Sequence, residues 1–143
     1  MKIAIHQPNF LPWMGFFEKI AGCDLFILLT WCQFEKNNYQ NRFKTDKWHT
    51  MTVSKKTERI REKKYLNHVN DWARITKQFP QLKQFDNCIT DSLYVTNSRL
   101  IMEICCKLQI DTPIVFDYYT EKKGTARLVE ICEKHNADVY LSG

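Results

Sequence analysis

The chain has 143 residues, with 21 Lys and Arg against 16 Asp and Glu for a net charge of +5, and is 44% hydrophobic and 13% aromatic. That apolar content at this length fits one packed domain burying about two-thirds of its unfolded surface, and argues against a disordered chain or two full domains. No run of about 18 apolar residues is present to cross a bilayer, and the apolar start is interrupted by His6 and Pro8 where a signal peptide would stay apolar, so the protein is expected in the cytoplasm.

Met1 to Ile5 reads as a short buried strand and Phe16 to Ala21 as the opening of an amphipathic helix. The segment between them, His6 to Phe17, therefore leaves the carboxyl end of a strand, the edge at which open α/β sheets bind ligands. Pro8 and Pro12 fix two φ angles and bias Gln7 and Leu11 towards extended backbone, which predicts a stiff loop. Gly15 allows close approach of a ligand or opens the helix, whose free N–H groups favour an anion. His6 is a candidate general base, and Gln7, Asn9 and Trp13 offer hydrogen bonds and a stacking face. Phe10, Phe16 and Phe17 read as core, and His6 as a hydrogen-bonded core residue is the competing reading.

Between Trp31 and Val53 partial alternation predicts a hairpin, Arg42 to Lys44 and Trp48 to Val53, turning at Thr45 to Lys47 and projecting from the active edge of the sheet. Gln33, Lys36, Asn41 and Arg42 are expected to face the first loop, with Arg42 suited to bidentate contact with phosphate or carboxylate and Lys36 a point charge. Ten Lys and Arg residues fall between Lys36 and Lys64. Such a basic half attracts phosphate-bearing small molecules, nucleic acid or an anionic membrane surface, or it is a solvated face partnered by Glu35, Glu58 and Glu62. Ser54 to Lys64 shows no apolar face and is expected to be a mobile lid or linker over the first loop.

The helical spacing of Val69 to Gln78 and Thr96 to Leu108 points Trp72, Ile75 and Phe79, then Leu100, Ile101, Ile104 and Leu108, inwards. Ile114 to Phe116 then reads as a strand, Thr125 to His135 as a helix and Val139 to Leu141 as a strand, a βαβ unit that predicts parallel pairing. Its loop, Tyr119 to Thr125, brings Lys122 to a helix start, and Ser142 and Gly143 follow the final strand onto the same edge. Cysteines stand at 23, 32, 88, 105, 106 and 132 with no C-x-x-C spacing, so no cysteine metal site is expected and the thiols are expected to be reduced, Cys105 and Cys132 buried. Cys32 as a nucleophile is a minor alternative.

The predicted fold is thus a single α/β domain over residues 1–143, three-layered, with a mostly parallel sheet, helices on both faces and an antiparallel hairpin insertion. The segments IHQPNFLPWMGFFEKIAGCD, LFILLTWCQFEKNNYQNRFK and EKKGTARLVEICEKHNADVYLSG resemble the WbqC-like proteins of bacteria, strongly at the two ends of the chain and loosely between residues 55 and 110. Two departures stand out: Thr30 and Trp31 occupy the place of an acidic pair usual in that family, and members usually run on beyond the YLSG-like motif, so a shortened form of a longer domain is expected. The resemblance implies a place in lipopolysaccharide O-antigen or other surface-polysaccharide biosynthesis, and names no cofactor. With the residue chemistry it suggests group transfer involving a nucleotide-activated sugar, with His6 as base, Gln7, Asn9 and Asn41 orienting hydroxyls, and Lys36 and Arg42 on phosphate. The rival expectations are a noncatalytic module binding a glycan or a partner enzyme of that pathway, and, lower, a nucleic-acid binder using Trp31, Tyr39 and Trp48 as stacking faces.

Overall fold

The computed structural model describes residues 1–143. Four parallel strands, β1 (Lys2–His6), β2 (Leu25–Leu28), β5 (Ile114–Phe116) and β6 (Val139–Leu141), form a sheet in the order β5-β2-β1-β6. A separate hairpin pairs β3 (Arg42–Lys44) with β4 (Trp48–Thr50). The helices are α1 (Met14–Ala21), α2 (His68–Gln78), α3 (Leu93–Lys107) and α4 (Gly124–Lys134), with 3₁₀ segments at Ile60–Glu62 and Pro80–Cys88.

Alternation along the strands sets the layers. Ala4, Phe26 and Leu28 point to one face, where Phe16, Phe17 and Ile20 of α1 and Ile101 and Cys105 of α3 cover them. Ile3, Ile5, Ile27 and Leu29 point to the other, under Leu128 and Ile131 of α4. The expected α/β architecture with helices on both faces is what the chain adopts, and the sheet is wholly parallel. After β5 the chain crosses back over β2 and β1 to add β6 on the far side, so the winding reverses between β1 and β6. In sheets of this kind that reversal opens a crevice at the strands' carboxyl ends.

A further hydrophobic cluster lies outside the three layers. Phe10, Met51, Ile60, Tyr65, Trp72, Ile75, Phe85, Leu93 and Leu100 pack together, with Phe43 and Phe79 against them. The hairpin forms part of this second core: His49 is buried, stacked on Phe43 at 4.8 Å and edge-on to Phe79 at 4.9 Å.

Three expectations change. The segment 54–64 is fastened down, since Phe34 N–H donates to Glu58 O, Ile60 N–H to Cys32 O and Arg61 N–H to Thr30 O, each at 2.9 Å, with Ile60 and Lys63 buried. Its charged sequence conceals a strand-like pairing to residues 30–34 supplied by the backbone. Leu108 is 42% exposed because α3 ends at Lys107 and leaves it at the cap. Leu11 stands at φ 44°, in the left-handed region, where Pro12 favours extended backbone; such a conformation costs of order 1–3 kcal/mol and persists only where neighbours impose it.

Asn97 imposes it. Fully buried on α3, its amide donates to Pro8 O at 2.8 Å and Gln40 O at 2.7 Å, while its oxygen accepts from the Tyr65 hydroxyl at 2.6 Å. Phe10 N–H donates to Tyr39 O at 3.0 Å alongside. Asn97→Ala strips a donor from two buried carbonyls and an acceptor from Tyr65, and is expected to cost at least about 2 kcal/mol in urea unfolding.

Candidate functional site

His6 is the last residue of β1, on the face shared with Ala4, and the period of the strand lays its ring edge-on against Phe16 at 5.0 Å, with Trp13 at 6.3 Å. Its Nδ1 lies 2.9 Å from Gln7 O. A carbonyl only accepts, so Nδ1 carries the hydrogen of the neutral ring and Nε2 keeps its lone pair, which nothing in the protein engages. Burial pushes the imidazole below its usual pKa; the Gln7 carbonyl and the Glu35 charge oppose this and Lys19 adds to it. The result is a neutral imidazole at pH 7 with a free nitrogen at the carboxyl end of β1, beside the switch point of the sheet.

Around it stand the other residues of the first loop. Gln7 is half-buried and Asn9 3% exposed, and neither side-chain amide takes a partner within the chain. Trp13 caps α1 without a side-chain hydrogen bond, leaving the first-turn N–H groups free of a side-chain acceptor, and its indole folds over Gly15. A Cβ at residue 15 would sit 3.0 Å from the indole Nε1, so the close approach at this glycine is made by Trp13 itself. Ser142 and Gly143 continue from β6 on the opposite side of the crevice, where Lys19 Nζ lies 3.4 Å from the position of a Cβ at residue 143.

Trp13 begins an exposed aromatic ledge. Its ring centre lies 5.2 Å from Tyr39, which lies 5.4 Å from Trp48, and all three are at least one-third exposed. The Arg42 guanidinium caps the row, 3.7 Å from the centre of the Trp48 ring. Trp31 is elsewhere, edge-on to Tyr119 and between Arg59 and Arg61, so the three aromatics first grouped as stacking faces divide into two places.

Gln33, Lys36, Asn41 and Arg42 do converge, but on a cavity of about 920 Å³ of their own, walled by residues 32–37 and 50–57 and lined by no residue of the first loop. Two of the four are partly committed. Arg42 donates from Nε to Asn38 O at 3.1 Å and from Nη2 to Asn37 O, closing a turn in which Asn37 has φ 63°. Asn41 donates to Met51 O at 2.9 Å, which leaves its side-chain oxygen free. Lys122 is separate again, exposed beside α4 at a different cavity of about 840 Å³.

The residue missed from sequence is Asp117, directly after β5. Fully buried, its carboxylate accepts from Thr30 N–H at 2.7 Å, Thr30 Oγ1 at 2.9 Å and Trp31 N–H at 3.3 Å, and pairs with Arg127 of α4. An acid thus sits against residues 30 and 31 after all, supplied by the neighbouring strand. Arg61 stacks over Trp31 and donates to Thr30 Oγ1 at 3.1 Å, joining the same network. The signal for it was available: the first polar residue beyond a parallel strand lies on the ligand edge. Cys32 lies close by, but burial and Asp117 push its thiol up to about 11, so it is protonated and a poor nucleophile at neutral pH. No three His, Cys, Asp or Glu side chains gather as a metal-binding set.

The model of the WbqC-like protein family matches residues 7–143. The chain belongs to the WbqC-like family. A relative in Mycobacterium tuberculosis, the uncharacterized protein Rv1507c, is 31% identical over 168 aligned positions, covering 99% of this chain and 72% of that protein. No solved structure matches. The match places nearly all the candidate residues of this WbqC-like chain within the family region, His6 standing one position before it. No helix is long and apolar enough to cross a membrane.

Two outcomes are expected. In the NMR spectrum His6 titrates with a midpoint below about 6.5 and holds the Nδ1–H tautomer at pH 7; a midpoint above that value would mean burial is not the dominant influence. Asp117→Ala leaves Arg127 buried and unpaired, and should cost about 3–5 kcal/mol in chemical denaturation.

Proposed function

We propose that this WbqC-like protein is an enzyme of lipopolysaccharide O-antigen or related surface-polysaccharide biosynthesis, transferring a group to or from a nucleotide-activated sugar. The observation that carries the reading is His6: a neutral imidazole whose Nδ1–H is tied to Gln7 O and whose Nε2 is free at the switch point of the sheet. That arrangement suits a general base. Nε2 takes the proton of an attacking hydroxyl as its oxygen bonds to the activated centre and the leaving group departs with its bonding pair. The unengaged amides of Gln7 and Asn9 suit hydroxyl groups, and Trp13 with Tyr39 offers ring faces to a sugar or base. Lys36 supplies positive charge for phosphate at the neighbouring cavity.

A second reading has its own support. The exposed row Trp13, Tyr39 and Trp48 is a surface on which sugar rings stack without any chemistry, as a noncatalytic glycan-binding module of the same pathway would require. Nucleic-acid binding draws less support, since Trp31 lies apart from the other two aromatics.

Turnover of nucleotide sugars separates the readings. His6→Ala should lower the rate about a hundredfold or more while leaving sugar binding intact. Near-normal turnover by that variant would remove His6 from the mechanism, and saturable glycan binding with no product from the unaltered protein would favour the module.

A further inference from the structure

Lysine is almost never fully buried unless a carboxylate accompanies it. Lys63 is 2% exposed and takes part in none of the ion pairs of the chain. Its ammonium donates to Lys56 O at 2.5 Å and Ser54 Oγ at 3.4 Å, and lies 4.9 Å from the centre of the Phe34 ring. The backbone leaves the side chain little choice. Lys63 N–H donates to Arg59 O and Ile60 O, and Lys63 O accepts from Leu93 N–H at 3.1 Å, so the residue is held from both sides and directed towards residues 54–56.

There it lines the cavity of about 920 Å³ described above. The remaining charged lining is Lys36, Arg42, Lys55 and Lys56 against a single acid, Glu35, whose carboxylate is already bonded by the Asn38 amide at 2.7 Å. Glu58, outside the lining, pairs with Lys56 at 3.9 Å, and the four remaining cations against one committed carboxylate leave a surplus that focuses a positive potential in this concave space. A charge left unpaired at the floor of such a space is a standing cost to folding, and a ligand of opposite sign removes it.

We propose that this cavity binds the diphosphate of a small molecule, with Lys63 as the charge at its floor and Lys36, Lys55 and Lys56 around its mouth. The inference deepens the reading of a nucleotide-activated sugar and rests on it for the identity of the substrate. It adds a residue and a place for the phosphates: a concave basic site next to the aromatic ledge through Arg42, which lines the cavity and stacks on Trp48.

Calorimetric titration with inorganic pyrophosphate, at low and moderate salt, tests this on the full chain. The unaltered protein is expected to bind one equivalent saturably. Lys63→Met should weaken binding about tenfold or more while the melting temperature holds or rises, because an uncompensated buried charge has gone. Lys55→Glu with Lys56→Glu, both on exposed residues, should weaken it about tenfold by reversing the charge at the mouth. The proposal is overturned if the unaltered chain shows no saturable binding, or if Lys63→Met binds equally well; should that variant fail to fold, normal binding by the double glutamate variant overturns it instead. Pyrophosphate binding dependent on Lys63, in a protein that turns over no nucleotide sugar, upholds the anion site and removes the transferase reading.

Discussion

One buried side chain, Asn97, joins the parts of this molecule. Through its amide it holds the loop that follows β1 and the segment entering the hairpin, and through its oxygen it fixes Tyr65 of the second core. Polar groups at that depth are costly unless all are satisfied, and here two carbonyls, one hydroxyl and one amide satisfy each other across four separate stretches of chain. The left-handed Leu11 lies in the same loop, next to Phe10, whose N–H donates to Tyr39 O, and three residues beyond the carbonyl that the clamp binds. Backbone strain of this kind concentrates at ligand sites, which agrees with the loop's position at the switch point.

A second polar centre, around Asp117, works at the neighbouring strand. It ties the backbone after β2 to α4, and Arg61 joins it by donating to Thr30 Oγ1 while stacking over Trp31. The two centres divide the ligand edge into compartments with different chemistry. Beside β1 and β6 there is a neutral imidazole, free amides and aromatic surface; under the hairpin there is excess positive charge. An activated sugar carries an uncharged ring and a charged diphosphate, and a site for it needs both environments within one molecule's reach.

Much of this was legible in the sequence, and the limits follow from where information is stored. Strands and helices that cover one face announce themselves by period, as in Lys2–His6 or Leu93–Lys107, and the carboxyl-end rule then places His6, Gln7, Ser142 and Gly143 on one edge. The second core carries no such period, because Phe10, Met51, Ile60 and Tyr65 each come singly from loops or short turns. Lys63 was invisible for a related reason. It sits in a run of charged residues that reads as solvated, and its inward placement comes from backbone bonds to Arg59, Ile60 and Leu93 within a segment paired to residues 30–34. Likewise the hairpin was expected against the first loop; it meets that loop through Phe43 and the preceding Tyr39, while Gln33, Lys36, Asn41 and Arg42 look into a space that no pattern along the chain describes.

The pairing of β1 with β6 has a bearing on how the protein comes into being. Lys2 is matched to Val139 and Ala4 to Leu141, partners drawn from opposite ends of the described chain. Contacts between residues so distant along the sequence form slowly, since a large loop must close before they return any stabilisation. The crevice at the switch point is therefore a late product of assembly. A nascent chain holds the histidine loop long before it holds the opposing strand, so a ligand that needs both, as proposed above, can bind only after the two ends of the sheet have met.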